Sequence, residues 1–244
     1  NKFYILDHRP ENSFIRWATD QGHSVYVISW VNPTADLRDK DFTSYMLEGP
    51  LAAVEAIERD TGAKKVNAIG YCLGGTLLSA TLAYAAKKKI NSFASATFFT
   101  TLVDFEQAGE LSVFVDEDQI QLIERKMHEK GYLDGAEMAS TFNSLRSNDL
   151  IWSFVVSNYL MGKEPFPFDL LFWNSDSTRL PEAMHSFYLR NMYQKNLMRE
   201  PGGISMNDQP IDLGDIEAPT YFLATKEDHI APWPGVYQGM KRFG

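Results

Sequence analysis

The chain has 244 residues, of which 44% are hydrophobic and 23% are charged, and its formal net charge is −9 at pH 7. This length fits one large domain or a core with an insertion, and the composition is ordinary for a globular protein. The net negative charge argues against a nucleic-acid partner, because such a surface repels phosphates. The single cysteine excludes an intrachain disulfide. No apolar run approaches the roughly 20 residues of a transmembrane segment.

The first half of the chain alternates strand and helix signals. Runs of β-branched and aromatic residues predict strands over Lys2–Leu6, His23–Trp30, Val66–Gly70 and Ser92–Thr100. Helices are predicted from the N-cap Ser13 to about Gln21, over residues 41–60, and from Gly75 to Lys89. Since proline lacks an N–H donor, Gly49-Pro50 must kink or split the second helix. Strands separated by such helices predict a parallel sheet with right-handed crossovers.

From residue 104 to about 217 the pattern is mostly helical. Helices are predicted over Asp118–Lys130, Leu150–Met161 and Pro181–Leu197, whereas Pro165-Phe166-Pro167-Phe168 cannot be regular helix. A last strand follows Pro219 over Thr220–Thr225. The predicted architecture is therefore an α/β core, made of residues 1–103 and 218–244, that carries a mainly helical inserted cap over 104–217.

A strand, a Gly-x-Cys-x-Gly-Gly turn and a helix follow one another over Gly70-Tyr71-Cys72-Leu73-Gly74-Gly75. This is the pattern of the nucleophile elbow of α/β-hydrolase folds, which favours Cys72 as a nucleophile over the commoner buried, inert cysteine. Gly70 and Gly74 are expected to be required because a side chain there would collide with the neighbouring strand and helix. The Leu73 N–H is expected to stabilise an oxyanion, and the helix dipole to lower the thiol pKa.

In this fold the acid and then the histidine of a triad follow the nucleophile along the chain. Asp228 comes directly after the last predicted strand and is the predicted acid, although an Asp there can also be an ordinary turn or cap residue. Adjacent side chains on an extended loop diverge, so His229 is not expected to serve as the base that Asp228 orients. The remaining histidines precede the acid, in the wrong order for the base: His8, His23, His128 and His185. The general base is therefore predicted to be missing from this chain.

The segment around Cys72 resembles the lipase-like box of polyhydroxyalkanoate synthases, in which cysteine replaces the lipase serine. The resemblance is closest to the class I, short-chain branch and extends over the whole chain. Further similar stretches are Asn1–Asp7, Val27–Trp30, Thr100–Phe105, Val113–Glu117, Asn148–Trp152, Phe168–Asn174 and Glu227–Trp233. The chain departs from the family at Val31, where Arg is usual, at Ser147, where Pro is usual, and at Gly49-Pro50 in a normally unbroken helix.

The resemblance implies roles for individual residues. Cys72 matches the nucleophile and Asp228 the triad acid, while Asp7 and His229 are candidate substrate-pocket residues. The triad histidine is expected in a Gly-His-Ile segment beyond Gly244. An N-terminal domain, a first core strand and a second oxyanion donor are expected before Asn1. The chain also begins without Met, so it is expected to be an internal fragment of a catalytic domain.

The activity implied by the resemblance is polymerisation of (R)-3-hydroxyacyl-coenzyme A, with the 3-hydroxybutyryl thioester as the expected monomer and release of coenzyme A. The family also implies a homodimer in the cytoplasm, associated with polyester granules, and neither a cofactor nor a metal. A Cys-dependent hydrolase or thioesterase on the same fold is the first alternative. A catalytically silent scaffold or granule-surface binding protein is the second. The aromatic cap, with Trp152, Phe172 and Trp173, favours polymer chemistry, although such residues often serve only packing.

Overall fold

The structure is a computed structural model that describes residues 2–145, 151–164, 170, 172–173, 176 and 178–244. Contacts divide the chain into two units. The first unit is Asn1–Arg38 with Glu129–Pro181, and the second is Asp39–His128 with Glu182–Gly244. The second unit contains the parallel sheet and every residue of the predicted elbow. Among the described residues, none of the helices combines the length and the hydropathy needed to span a bilayer.

The described residues include short strands and helices of three types, joined by turns and irregular segments. The strands are β1 (Val66–Tyr71), β2 (Phe93–Phe99), β3 (Tyr132–Leu133), β4 (Leu180–Pro181), β5 (Ser205–Met206), β6 (Gln209–Pro210) and β7 (Thr220–Leu223). The α-helices are α1 (Phe14–Asp20), α2 (Phe42–Met46), α3 (Ala52–Thr61), α4 (Leu73–Lys88), α5 (Glu117–Lys130), α6 (Gly135–Leu145), α7 (Glu182–Tyr188) and α8 (Trp233–Met240). Segments of π-helix are Leu47–Leu51, Val155–Leu160 and Leu189–Gln194, and 3-10 segments include Phe3–Leu6 and Gly109–Phe114.

The strands β1, β2 and β7 form one parallel sheet with β2 in the centre. Ile69 of β1 lies opposite Thr97 of β2, which lies opposite Tyr221 of β7. Parallel strands end at a common edge, so the loops after all three strands meet there. The prediction of these three strands and of their parallel arrangement is confirmed.

Helix α4 packs against this sheet and is buried from Gly75 to Ala85. On the sheet, the ring of the fully buried Phe98 stacks on Phe222 with the centroids 4.5 Å apart. The basic C-terminus of the helix stays at the surface, where the Nζ of Lys87 lies 2.9 Å from Asp215 Oδ2. The prediction of a buried helix with a basic end is confirmed.

The helix predicted over residues 41–60 is split into α2 and α3 by a π-helical turn that contains Pro50. The Asp41 carboxylate caps its start by accepting a hydrogen bond from the Ser44 N–H at 2.7 Å. Gly62 ends α3 in the left-handed conformation, with φ of +75°. Proline cannot donate to the regular helical ladder, and the wider turn accommodates the missing donor. The predicted interruption is confirmed.

Two strands predicted in the first unit are wrong. Lys2–Leu6 contains the 3-10 helix Phe3–Leu6, and His23–Trp30 has no strand partner among the described residues. A strand needs a neighbour for its N–H and C=O groups, and composition alone does not supply one. The helix between them is confirmed, since the Ser13 Oγ accepts the Arg16 N–H at 2.8 Å and α1 follows.

The region from 104 to 217 contains the predicted helices near residues 118–130 and 181–197, as α5, and as α7 with the π segment after it. It also contains two strand pairs that were not predicted, β3 with β4 and β5 with β6. Asn207 and Asp208 both have positive φ, as the two-residue hairpin turn between β5 and β6 requires. Several sequence features lie outside the described residues: Ser147, Asn148–Leu150, Pro165–Phe168 and part of Phe168–Asn174.

Candidate active site

Cys72 occupies a sharp turn between β1 and α4. Its φ of 52° and ψ of −123° are strained values that a residue other than glycine rarely adopts. Its N–H donates to the Phe99 carbonyl at 2.9 Å, and its own carbonyl accepts from the Gly75 N–H at 2.9 Å and the Thr76 N–H at 3.2 Å. The sheet and the helix therefore hold the turn from both sides, and this is the backbone conformation of a nucleophile elbow.

Two glycines make this turn sterically feasible. A Cβ on Gly70 would lie 2.5 Å from the Gly75 Cα, and a Cβ on Gly75 would lie 1.9 Å from the Thr101 Oγ1. A Cβ on Gly74 would meet no atom within 4 Å. The expected steric requirement at Gly74 is therefore wrong, because that position faces open space. The close approach of strand and helix is made at Gly70 and Gly75.

The Cys72 side chain is half-buried. Burial raises the pKa of its thiol, the Leu73 N–H acts in the opposite direction by hydrogen bonding to the sulfur, and the negative charge of Asp228 raises the pKa further. The helix N-terminus thus acts to lower the thiol pKa, in the predicted direction, but burial outweighs it and the pKa is raised on balance. A thiol with a raised pKa is protonated at neutral pH and needs a base to act as a nucleophile.

The charge of Cys72 acts on three tyrosines, Tyr71, Tyr188 and Tyr193. Burial raises the pKa of Tyr71 to about 12, and the charges of Cys72 and Asp228 add to the effect. Burial also raises the pKa of Tyr188 and Tyr193, and both feel the charge of Cys72. The rings of Tyr188 and Tyr193 meet edge to face at 5.4 Å, and Phe105 contacts both. We call Phe105, Tyr188 and Tyr193 the aromatic wall.

The sequence prediction missed this wall. On a regular α-helix, residues five apart point in directions about 140° apart. Residues 189–194 form a π-helix, in which hydrogen bonds join residues five apart, so Tyr188 and Tyr193 lie on one face. The sequence signal for the wall was the spacing of five residues between Tyr188 and Tyr193. That spacing places the two rings on one face only if the segment is a π-helix, which the sequence did not indicate.

Asp228 lies in the loop after β7, at the edge of the sheet where Cys72 follows β1. Its Oδ1 accepts hydrogen bonds from the Ile230 and Ala231 N–H groups, both at 2.8 Å. Among the described residues its Oδ2 has no hydrogen-bonding partner, and its charge acts on Cys72 and Tyr193. The backbone thus fixes one carboxylate oxygen and leaves the other available to orient a base.

The histidines of the second unit do not supply that base in the described residues. The charged or hydrogen-bonding groups that act on the thiol are Leu73 and Asp228, and no histidine is among them. The His229 carbonyl accepts the Glu110 N–H at 3.0 Å, which attaches this loop to the segment beginning at Gly109. His185 is 5% exposed, and burial lowers its pKa to about 4.

Asp7 belongs to the first unit and follows the 3-10 helix Phe3–Leu6. It accepts a hydrogen bond from the Ser13 Oγ at 2.5 Å, so it helps to hold the start of α1. Within the part of the chain that the structure describes, no group of three or more His, Cys, Asp or Glu side chains is arranged to bind a metal ion.

Comparisons with known proteins agree with this architecture. A family model described as alpha/beta hydrolase fold matches residues 10–243. A monoacylglycerol lipase of Paleococcus ferrophilus, known from its crystal structure, matches 94% of this chain and 72% of its own at 13% identity with a TM-score of 0.49, a likeness that adds nothing to the assignment.

Closer similarity is found among curated proteins. The poly(3-hydroxyalkanoate) polymerase subunit PhaC of Rhizobium meliloti is 55% identical over 100% of this chain and 40% of its own length. The polymerase of Methylorubrum extorquens is 54% identical with the same coverage, and the PhaC of Cupriavidus necator is 43% identical over 97% of this chain and 41% of its own. The chain thus spans about 40% of the length of these relatives. The resemblance to polyhydroxyalkanoate synthases is confirmed, and by fold the chain belongs to the alpha/beta hydrolase family.

Proposed function

We propose that this chain is the central catalytic part of an acyltransferase that polymerises (R)-3-hydroxyacyl groups from coenzyme A thioesters, with 3-hydroxybutyryl-coenzyme A as the expected monomer. The observation that carries the proposal is the strained Cys72 turn, with φ of 52°, in a chain that is 43 to 55% identical to poly(3-hydroxyalkanoate) polymerases. A cysteine at this position is suited to exchange of acyl groups between thiols.

The chemistry consists of two acyl transfers. The Cys72 sulfur forms a bond to the thioester carbonyl carbon, the bond from that carbon to the coenzyme A sulfur breaks, and coenzyme A leaves as the thiol. One thioester replaces another, so the step is close to thermoneutral and the acyl group stays activated. The hydroxyl oxygen of a monomer or chain end then attacks the same carbonyl carbon, the bond from that carbon to the Cys72 sulfur breaks, and the hydroxyl proton passes to the sulfur as the ester forms. A serine ester would lose the activation at the first step.

The remaining roles are assigned by position. The Leu73 N–H would stabilise the oxyanion of each tetrahedral intermediate. Asp228 would orient a histidine that, by resemblance to the family, lies beyond Gly244 and takes the proton from the thiol. The raised thiol pKa supports this assignment, since such a thiol needs a base at neutral pH. Asp7 and His229 stay proposed pocket residues, with no contact to substrate assigned.

Polymerisation requires that the chain hydroxyl reach the acyl group in preference to water. The aromatic wall supports this requirement because apolar ring surface beside the sulfur displaces water. The cap over residues 104–217, carried on a core of 1–103 and 218–244, is proposed to complete the shield. The homodimer and the association with cytoplasmic polyester granules likewise stay proposals from the family resemblance.

The acylation step tests the proposal without requiring turnover. The chain is incubated at neutral pH with 3-hydroxybutyryl-coenzyme A and free imidazole, which supplies the base that the chain itself is proposed to lack. Intact-mass analysis follows one hydroxybutyryl group on Cys72 together with release of the coenzyme A thiol. Cys72→Ala serves as the control and should give neither. Hydroxyacid released without oligomer would instead support a thioesterase. A chain whose Cys72 is readily alkylated but never acylated would support the silent-scaffold alternative.

A further inference from the structure

Asp104 is a buried carboxylate that the proposed chemistry does not use. It lies after β2 and is 2% exposed. Its Oδ1 accepts hydrogen bonds from the Asn196 Nδ2 at 2.8 Å and the Glu106 N–H at 3.1 Å, and its Oδ2 accepts from Arg242 at 3.1 Å. Burial acts to raise the pKa of this carboxyl, but these hydrogen bonds and the nearby charge of Arg199 lower it on balance. Asp104 is therefore ionised at neutral pH.

Asn196 connects Asp104 to the aromatic wall through hydrogen bonds. While its Nδ2 donates to Asp104, its Oδ1 accepts the backbone N–H of Phe105 at 2.8 Å. Asn196 has φ of +50° and lies two residues after the end of the π-helix that carries Tyr193. One amide side chain therefore joins the loop after β2 to the end of the π-helix, and Asp104 fixes the orientation of that amide.

The joined segments are those that carry the three rings. Phe105 meets Tyr193 with the centroids 4.9 Å apart and Tyr188 with the centroids 5.9 Å apart. The loop that carries Phe105 lies against the elbow, because the Cys72 N–H donates to the Phe99 carbonyl at 2.9 Å and the Thr76 Oγ1 donates to the Leu102 carbonyl at 2.7 Å. The charge of Cys72 acts on both tyrosines, which agrees with this placement. A loss of the Asp104–Asn196 hydrogen bond would free the Phe105 backbone and the π-helix end to move apart, and water would then reach the thiol.

We propose that Asp104 is a positioning residue that, through Asn196 and Phe105, holds the aromatic wall against Cys72 and sets the reactivity of its thiol. This inference deepens the proposed function and rests on Cys72 being the nucleophile of that function. An ion cluster that served only stability would tie these segments together without any effect on the sulfur.

The test measures the pH dependence of Cys72 alkylation by iodoacetamide, a reaction that needs neither substrate nor general base. Asp104→Ala and Asn196→Ala are expected to shift the midpoint down by about half a pH unit and to raise the rate at pH 7.5 about threefold, because a hydrated thiol ionises more readily. Asp104→Asn keeps an oxygen for the Asn196 amide and should stay near the wild-type profile. In the double variant, Asp104→Ala with Asn196→Ala, the alkylation midpoint should shift no further than in the more strongly shifted single variant, because Asp104 acts through Asn196.

Glu106→Gln is the matched control, since the exposed Glu106 carboxylate pairs with Arg199 in the same cluster, whereas the Asn196 amide bonds to Asp104 and to the Phe105 N–H. Thermal melts establish that each variant is folded. A wild-type profile in folded Asp104→Ala overturns the proposal, as does an equal shift in Glu106→Gln. If Asp104→Ala does not fold, a wild-type profile in Asn196→Ala overturns it.

The outcome is separable from that of the acylation test. A shifted alkylation profile in a chain that accepts no acyl group would support the positioning role of Asp104 and refute the polymerase assignment. Acylation of the wild type together with an unshifted Asp104→Ala alkylation profile would support the polymerase assignment and refute the positioning role of Asp104.

Discussion

His185 makes the stability of this chain depend on pH in a predictable direction. Burial lowers its pKa from 6.5 to about 4, and its Nδ1 has no hydrogen-bonding partner among the described residues. The unfolded chain, with the ordinary pKa, therefore binds more protons than the folded chain between these values. The contribution of the neutral His185 ring to the unfolding free energy is fully present above pH 6.5 and is lost as the pH falls toward 4.

The size of the effect follows from the shift. The difference between 6.5 and about 4 is 2.5 pKa units, which corresponds to about 3 kcal/mol at full protonation. Between pH 7 and pH 5 the expected loss is about 2 kcal/mol of unfolding free energy. Urea unfolding at half-unit intervals over this range measures it, with His185→Leu as the variant that cannot titrate and the exposed His23→Gln as the control.

His185→Leu should remove about 2 kcal/mol of the pH dependence between pH 7 and pH 5. At pH 7 it should cost little, because it also removes a buried nitrogen that has no partner in the described residues. His23→Gln should keep the wild-type slope. A His185→Leu slope equal to that of the wild type would refute the reasoning, since the loss at acidic pH would then come from other groups.

Three further outcomes are expected. Gly75→Ala should lower the unfolding free energy by about 3 kcal/mol because its Cβ has no room, whereas Gly74→Ala should change it by less than about 0.5 kcal/mol, and urea midpoints distinguish the two. Asp228→Asn should lower the pKa of the Cys72 thiol, since the carboxylate charge raises it, and alkylation should reach its midpoint at a lower pH. Arg190→Met should cost about 1 to 3 kcal/mol in the same urea assay, because this half-buried guanidinium bridges two glutamates of α5 at 2.7 and 3.0 Å; an unchanged midpoint would show that the bridge is inert.

Features encoded in adjacent residues could be predicted from the sequence. The Gly-x-Cys-x-Gly-Gly run lies between a strand and a helix, and the backbone at Cys72 has the strained turn that this pattern indicates. Proline has no backbone N–H to donate within a helix, so Pro50 alone was enough to predict the interruption between α2 and α3. In these cases the physical cause lies within a few residues of its effect.

Features that depend on distant partners could not be predicted. The run His23–Trp30 has the composition of a strand, but strand formation needs a neighbour that composition does not specify. Gly74 fits the pattern of an elbow glycine, yet only the packing around α4 shows that the close contact is made at Gly75. The aromatic wall depends on a π-helical register and on the Asn196 amide, which joins segments about 90 residues apart.

In the proposed function, the raised pKa of the Cys72 thiol slows attack on the acyl-enzyme by water and by a hydroxyl alike, so the positioning of the chain hydroxyl decides between them. A thiol of higher pKa gives a more nucleophilic thiolate once a base has removed its proton, and it is a poorer leaving group from the acyl-enzyme. Water therefore attacks the acyl-enzyme more slowly, while a hydroxyl held beside the carbonyl keeps the advantage of proximity. In the proposed mechanism, the burial that makes a histidine necessary for the first transfer would also slow the loss of the thioester to water between transfers. A hydrolase would gain nothing from such protection, so we expect variants that hydrate the sulfur to release more hydroxyacid for each coenzyme A liberated.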